Sequence, residues 1–259
     1  MIYDATTAKI LGIPPYGFFA TIGVVFASSL FILLLLKYNY SIQRYSKVFW
    51  LSGIGLLTGA KLFGCLTGLY IALANKEPIT FGTFWNTGIV YYGGLIGFLL
   101  SFLLICKIWD KKIDWGIMDI AVVCVPLFLF WGRLGCFFAG CCFGVETDSI
   151  FSIIYTTKVK GEIITDSRIP VQLVEAVISI MIFFGLWKML SIEKFKGHLM
   201  EVYLCTYAII RIILEFFRGD WLRGVWNGIS FSQIVSVCVL ISCVIIIFAR
   251  RRREKYGVV

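Results

Sequence analysis

Between Tyr16 and Leu36 the chain runs through 21 residues, YGFFATIGVVFASSLFILLLL, without one charged side chain. At 1.5 Å per residue such a segment crosses the roughly 30 Å hydrocarbon core of a bilayer as a helix, a form that satisfies its own backbone hydrogen bonds there. Six more apolar stretches follow, over 48–74, 88–106, 116–138, 171–190, 199–217 and 229–249. With 59% hydrophobic residues, only 15% charged and a mean hydropathy of +0.90, an ordinary soluble domain is excluded. The expected fold is an all-α integral membrane protein of seven transmembrane helices, residues 1–259 forming a single membrane domain without repeats or low-complexity linkers. The start, MIYDATTAKILGIPP, has no basic head before an apolar run, so no cleaved signal peptide is expected.

Lysine and arginine in the short loops orient such a bundle. One set of alternate loops, together with the C-terminal tail RRRREK, holds fourteen of the 24 basic residues. The opposite set holds seven: Lys9, Lys76, Lys158, Lys160, Arg168, Arg218 and Arg223. This bias predicts an N-terminus outside and a C-terminus in the cytoplasm. The net charge of +9 then anchors the protein to anionic membrane lipids, and no nucleic-acid partner is expected. Residues 145–168, mixed in charge with β-branched runs around a Lys-Gly turn, are expected to form a small extracytoplasmic loop or hairpin between the fourth and fifth helices.

Lys61, Arg133 and Arg211 fall inside the predicted spans, and Asp119, Glu175, Glu201 and Glu215 within them or at their ends. An ionisable group at that depth costs about 2.5 kcal/mol or more to insert, so it faces a partner or a wet cavity. Tyr207, Arg211 and Glu215 are spaced by four and share one helix face. Arg211 and Glu215 can neutralise each other, but Glu215 cannot also offset Arg133 on another helix. The surplus positive charge calls for an anion near the outer leaflet. A guanidinium stays charged when desolvated and matches phosphate oxygens in bidentate fashion, so Arg133 and Arg211 are expected to clamp a lipid headgroup.

Gly93, Gly94 and Gly97 form a small-residue patch at helical spacing, suited to helix packing or to a ligand approaching the main chain. Gly132, Gly135, Gly140 and Gly144 punctuate the stretch WGRLGCFFAGCCFG, which also holds Cys136, Cys141 and Cys142. The other six cysteines lie in apolar runs and behave as small hydrophobes. For these three, packing or a disulfide, a nucleophilic thiol activated by Arg133, and a metal site all stay open. The metal fits least well, because C-x4-C-C is not a usual zinc spacing and no histidine stands nearby. No metal or cofactor is expected.

The segments YYGGLIG (91–97), GRLGCFFAGCCFG (132–144), IPVQLVE (169–175), YAIIRIILEFFRGD (207–220) and ISFSQIVS (229–236) resemble, in that order, the bacterial prolipoprotein diacylglyceryl transferases. The similarity extends from Tyr16-Gly17 to Gln233. It implies a multi-pass enzyme of the bacterial cytoplasmic membrane with its active site toward the outer face. Such enzymes move the diacylglyceryl group of phosphatidylglycerol to the lipobox cysteine thiol of a secreted precursor and release glycerol 1-phosphate. The resemblance implies catalytic positions at Arg133, Arg211, Glu215, Tyr92 and Tyr207. It implies substrate-binding positions at Tyr16, Gly93, Gly94, Gly97, Cys136, Cys141, Cys142, Gly144, Gln172, Glu175 and Gln233.

The chain departs from the family's pattern where proton transfer is at stake. The family usually reads H-G-G where this chain has Tyr92-Gly93-Gly94, and the histidine is its candidate base. An unperturbed tyrosine titrates near ~10 and is a poor base at neutral pH. His198, the only histidine, is expected on the cytoplasmic flank, solvated. Cys136, Ala139 and Cys141 stand where the family has asparagines and a glutamate, and Ile169 and Val174 have lost polar groups. Two other functions therefore stay in view: the same lipid site serving another thiol or a small acceptor, and a non-enzymatic membrane transporter of an anion or a sulfur compound.

Overall fold

The computed structural model describes residues 2–4, 9–76, 78–85, 87–111, 113–159, 162–219 and 225–256. Of the residues weighed above, Lys112, Lys160, Asp220 and Arg223 lie outside the described set.

Eight α-helices are described: α1 (Pro15–Lys37), α2 (Ile42–Asn75), α3 (Phe81–Trp85), α4 (Tyr91–Asp110), α5 (Trp115–Phe138), α6 (Val171–Met189), α7 (Leu199–Glu215) and α8 (Phe231–Tyr256). Six of them, α1, α2, α4, α5, α6 and α8, are long and apolar enough to cross a membrane, and the protein is an integral membrane protein. The expected seventh, α7, is only 17 residues long, about 26 Å at 1.5 Å per residue, and carries Glu201, Arg211 and Glu215. It does not qualify by length and composition alone.

The helices are not the whole fold. Strands β2 (Ile153–Val159) and β3 (Glu162–Arg168) pair antiparallel between α5 and α6, and β1 (Ile2–Asp4) joins β2 in parallel. A second hairpin, β4 (Val225–Trp226) and β5 (Ile229–Ser230), precedes α8. The chain groups into two compact units.

The first unit comprises Met1–Ile42, Ile120–Ile192 and Phe216–Leu222, hence β1, α1, most of α5, the β2–β3 hairpin and α6. Its hairpin is seated by aromatic packing: Tyr155 of β2 lies against Phe137 at the end of α5 and against Phe143. The close approach of α1 and α5 depends on Gly135, where a Cβ would stand 3.3 Å from the Tyr16 Cα.

The second unit comprises Gln43–Asp119, Glu193–Glu215 and Arg223–Val259. Its centre is a glycine-lined contact between α2 and α4. A Cβ on Gly93 would run into the Gly59 carbonyl oxygen, and one on Gly97 into that of Gly55. Among lipid tails no hydrophobic gain holds helices together, so backbone-to-backbone approach of this kind supplies the dispersion contact instead. Lys61 on α2 is satisfied within the unit: its Nζ donates to the carbonyls of Trp85 (2.8 Å) and Thr87 (2.9 Å). Asp119 accepts the backbone N–H groups of Gly197 and of Leu199 (3.0 Å), capping the start of α7 from another helix. Glu201 pairs with Arg250, whose guanidinium also lies 4.1 Å from the centre of the Trp115 ring.

Candidate active site

The expected site residues fall into two groups, one in each unit. In the first unit Arg133 lies one turn from the end of α5, and its Nη2 meets Glu175 Oε1 of α6 at 2.7 Å, the two side chains being 8% and 3% exposed. The charge count made from sequence is corrected here: Arg133 has a carboxylate beside it in Glu175. A further cation was missed. Arg218, expected in an outer loop, is buried, and its backbone pairs with Gly144. Two phenylalanines precede it, an apolar setting that was the available signal.

Gln172 stands three residues before Glu175 on α6, hence on the same face. Its Nε2 donates to the Cys141 carbonyl at 2.7 Å, and its Oε1 accepts from the Tyr155 hydroxyl at 3.3 Å. Gly144 donates its N–H to the Ile169 carbonyl at 2.8 Å, and a Cβ there would meet the same residue. The Tyr16 phenol lies within electrostatic reach of Arg133 and of Cys136, Cys141 and Cys142.

The three cysteines come together because of how α5 ends. Gly140 takes φ +64°, its N–H donates to the Phe137 carbonyl at 3.1 Å, and the Cys141 N–H donates to the Cys136 carbonyl at 3.1 Å. This is the Schellman arrangement, which folds the chain back over the last helical turn. Cys142 follows at φ +61°, a conformation uncommon for a side-chain-bearing residue and costly enough to be worth explaining. All nine cysteines are free thiols, and the three Sγ atoms lie within 4.8 Å of one another. The expectation against a metal rested on linear spacing and on the lack of a nearby histidine, and the helix cap bears on the first of these by bringing the three thiols together. The neighbouring Cys136 and Cys141 thiols, opposed by burial and helped by Arg218 and Arg133, hold the Cys142 thiol well below its ordinary value. For Cys141 the donation received from Cys136 lowers the value, but its own donation to Cys142 and burial outweigh it and leave it at about 12.

In the second unit Arg211 Nη2 meets Glu215 Oε2 at 3.0 Å, and the same carboxylate oxygen accepts from the Ser232 hydroxyl at 2.7 Å. Tyr207, one turn before Arg211, packs its ring against Tyr91 and Tyr92, 5.1 and 5.3 Å between centres. The Tyr92 hydroxyl is 2.6 Å from Ser236 Oγ, whose single proton goes to the Ser232 carbonyl at 2.7 Å. Tyr92 is therefore the donor of that pair. Gln233 Oε1 accepts the Ser230 N–H at 2.9 Å. Gly93 and Gly97 are occupied in packing against α2, and Gly94 faces it too, with Ala60 Cβ 3.4 Å from where its own would stand.

Residues 5–249 match the model of the prolipoprotein diacylglyceryl transferase family. The chain belongs to that family. It is 31% identical over 243 residues to a phosphatidylglycerol–prolipoprotein diacylglyceryl transferase of Clostridium perfringens, covering 91% of this chain and 90% of the relative. It is 29% identical over 262 residues to the protein of that name from Clostridium tetani (98% and 99%) and 34% over 205 residues to that from Campylobacter hominis (73% and 68%). Family membership makes the chain a membrane transferase.

Proposed function

We propose that the protein transfers the diacylglyceryl group of phosphatidylglycerol to the cysteine thiol of a prolipoprotein and releases glycerol 1-phosphate. The observation that carries this is the family match over nearly the whole chain, in which the relatives are named for that reaction. Breaking the bond between the glyceryl carbon and the phosphate oxygen leaves a phosphate monoester with an added negative charge. Guanidinium groups already fixed in a water-poor setting stabilise that charge without reorganising, and such preorganised stabilisation commonly contributes more to catalysis than any other effect. Arg133, oriented by Glu175, and Arg211, oriented by Glu215, are each a buried guanidinium suited to such charge. A guanidinium carries five N–H donors in a fixed fork, so a carboxylate partner and a phosphate are compatible.

α7 is taken as a seventh span, short and tolerant of charge because Arg211, Glu215 and Glu201 are paired. The N-terminus lies outside, the C-terminus in the cytoplasm, and the site opens toward the outer face of a bacterial cytoplasmic membrane, as the lysine and arginine bias indicates. The β2–β3 hairpin then lies outside, where secreted precursors emerge. Neither the transporter reading nor the alternative acceptor gains support from the named relatives. The test is direct: purified protein given phosphatidylglycerol and a lipobox peptide is expected to release glycerol 1-phosphate and yield an S-diacylglyceryl peptide. No release, under conditions in which the Clostridium perfringens relative is active, would overturn the proposal.

A further inference from the structure

Three thiols meet at the end of α5, and neither packing nor the arginine chemistry calls for them. Cys136 is on the last turn of the helix, and the Schellman reversal brings Cys141 and Cys142 back over it. The cluster is anchored by Gln172, which holds the Cys141 carbonyl at 2.7 Å, and by the Gly144–Ile169 hydrogen bond at 2.8 Å. Cys142 sits in the left-handed region at φ +61°, directly after the reversal.

We propose that Cys136, Cys141 and Cys142 hold a zinc ion through three thiolates, and that its fourth position receives the thiol of the acceptor peptide. With Zn–S bonds of about 2.3 Å, tetrahedral ligation needs sulfurs about 3.8 Å apart, so a cluster already within 4.8 Å closes by small side-chain rotations. Thiolates select zinc or copper(I) among the available metals, and three protein ligands with one open position is the pattern of zinc sites that do chemistry. Zinc with three thiolates carries one net negative charge, and Arg218 is a buried cation of the same compact unit, its backbone paired with Gly144 two residues after Cys142.

This inference rests on the proposed transferase reaction and supplies what that reaction lacks here, a means of deprotonating the acceptor. The acceptor thiol binds the metal as thiolate and gives its proton to solvent. Its sulfur then forms the C–S bond to the glyceryl carbon while the C–O bond to phosphate breaks, the electron pair leaving with the phosphate. The neutral thioether formed is a weak ligand and departs. No protein base is required, which fits a phenol at Tyr92 that is already a donor to Ser236.

The whole protein, purified in detergent without chelators and equilibrated with zinc, is expected to retain about one zinc per chain, as a site of three thiolates predicts. Cys136→Ser and the milder Cys141→Ser, at an exposed position, should lose it, while Cys65→Ser in α2 keeps it. Cobalt(II) substituted for zinc reports the fourth ligand without any turnover. A lipobox peptide should raise the sulfur-to-cobalt charge-transfer absorption by about a third, as three thiolates become four, and the same peptide with serine for cysteine should not. Zinc below about a tenth per chain, a Cys136–Cys142 or Cys136–Cys141 disulfide in its place, or no response of cobalt to the peptide overturns the inference. Transfer that persists in metal-stripped protein overturns it while leaving the transferase proposal standing. A cobalt response without any release of glycerol phosphate supports the site and removes the transferase proposal instead.

Discussion

Replacing Glu175 by glutamine tests the central ion pair at nearly constant volume. The carboxylate meets Arg133 at 2.7 Å with both side chains almost wholly buried, so the substitution removes the negative partner of a buried ion pair while the guanidinium stays charged. Two unit charges about 4 Å apart interact by about 4 kcal/mol at an effective dielectric constant near 20, and breaking a buried pair from one side typically costs about 3–5 kcal/mol. Glutamine still accepts one hydrogen bond, which places the expected loss at the low end, about 3 kcal/mol. At roughly 2–4 °C per kcal/mol for a chain of this size, Tm in detergent should fall by about 6–12 °C, read from tryptophan fluorescence. The lipid supplies a second readout. If Arg133 binds the phosphate of phosphatidylglycerol, the headgroup replaces the lost counter-charge, and the lipid must raise Tm further in Glu175→Gln than in the parent protein. The double variant Arg133→Gln/Glu175→Gln should show no such excess and should recover part of the lost stability. A single variant within about 2 °C of the parent refutes the ion-pair reasoning, and an equal lipid-induced rise in all three proteins refutes Arg133 as a phosphate ligand.

Three further outcomes are expected. Gly93→Val should abolish folding or lower Tm sharply, because a Cβ there meets the Gly59 carbonyl of α2, whereas Gly94→Ala, with its nearest neighbour 3.4 Å away, should remain close to the parent; comparable yields and Tm for both would contradict the packing described. Tyr92→Phe removes the donor to Ser236 and should cost about 1–2 kcal/mol in stability with kcat/KM changed less than tenfold, whereas a hundredfold loss of kcat/KM at unchanged Tm would make Tyr92 the base. Gln172→Ala releases the Cys141 carbonyl and should weaken zinc binding by about 10–100-fold in competition with a chromogenic chelator, the usual consequence of losing a residue that braces a metal ligand; unchanged affinity would separate Gln172 from the thiol cluster.

The membrane helices were legible because their signal is local: about 20 apolar residues in a row suffice. The signal of α7 is weaker, since two of its three charged residues find partners elsewhere in the chain, Arg250 for Glu201 and Ser232 for Glu215. The face shared by Tyr207, Arg211 and Glu215 was readable from a spacing of four, and the Arg211–Glu215 pair is there. Pairings between distant segments were not readable. Counting charges gave Arg133 no carboxylate, when Glu175 on another helix supplies one. Lys61 looked like part of a polar interior, yet it is held by backbone carbonyls at the end of α3 and just beyond it. Likewise β1 pairs in parallel with a strand far along the chain, a contact that three residues of sequence cannot announce.

Two departures from the family's pattern look independent on the linear chain: a tyrosine in place of the usual histidine, and thiols in place of the usual asparagines and glutamate. The proposed zinc site gives them a common cause. Thiol alkylation needs its nucleophile as thiolate, and that state can be reached by a base that removes the proton or by a cation that makes the bound thiol acidic. Tyr92, with its proton directed at Ser236, does not offer the first route. The helix cap at Gly140, by stacking Cys141 and Cys142 over Cys136, builds a site for the second. A chain that exchanged one route for the other would lose the histidine and gain the thiols together. Reinstating the first route alone, by Tyr92→His, should therefore not rescue transfer in a Cys136→Ser protein unless Ser236 also gives up its claim on the residue at that position.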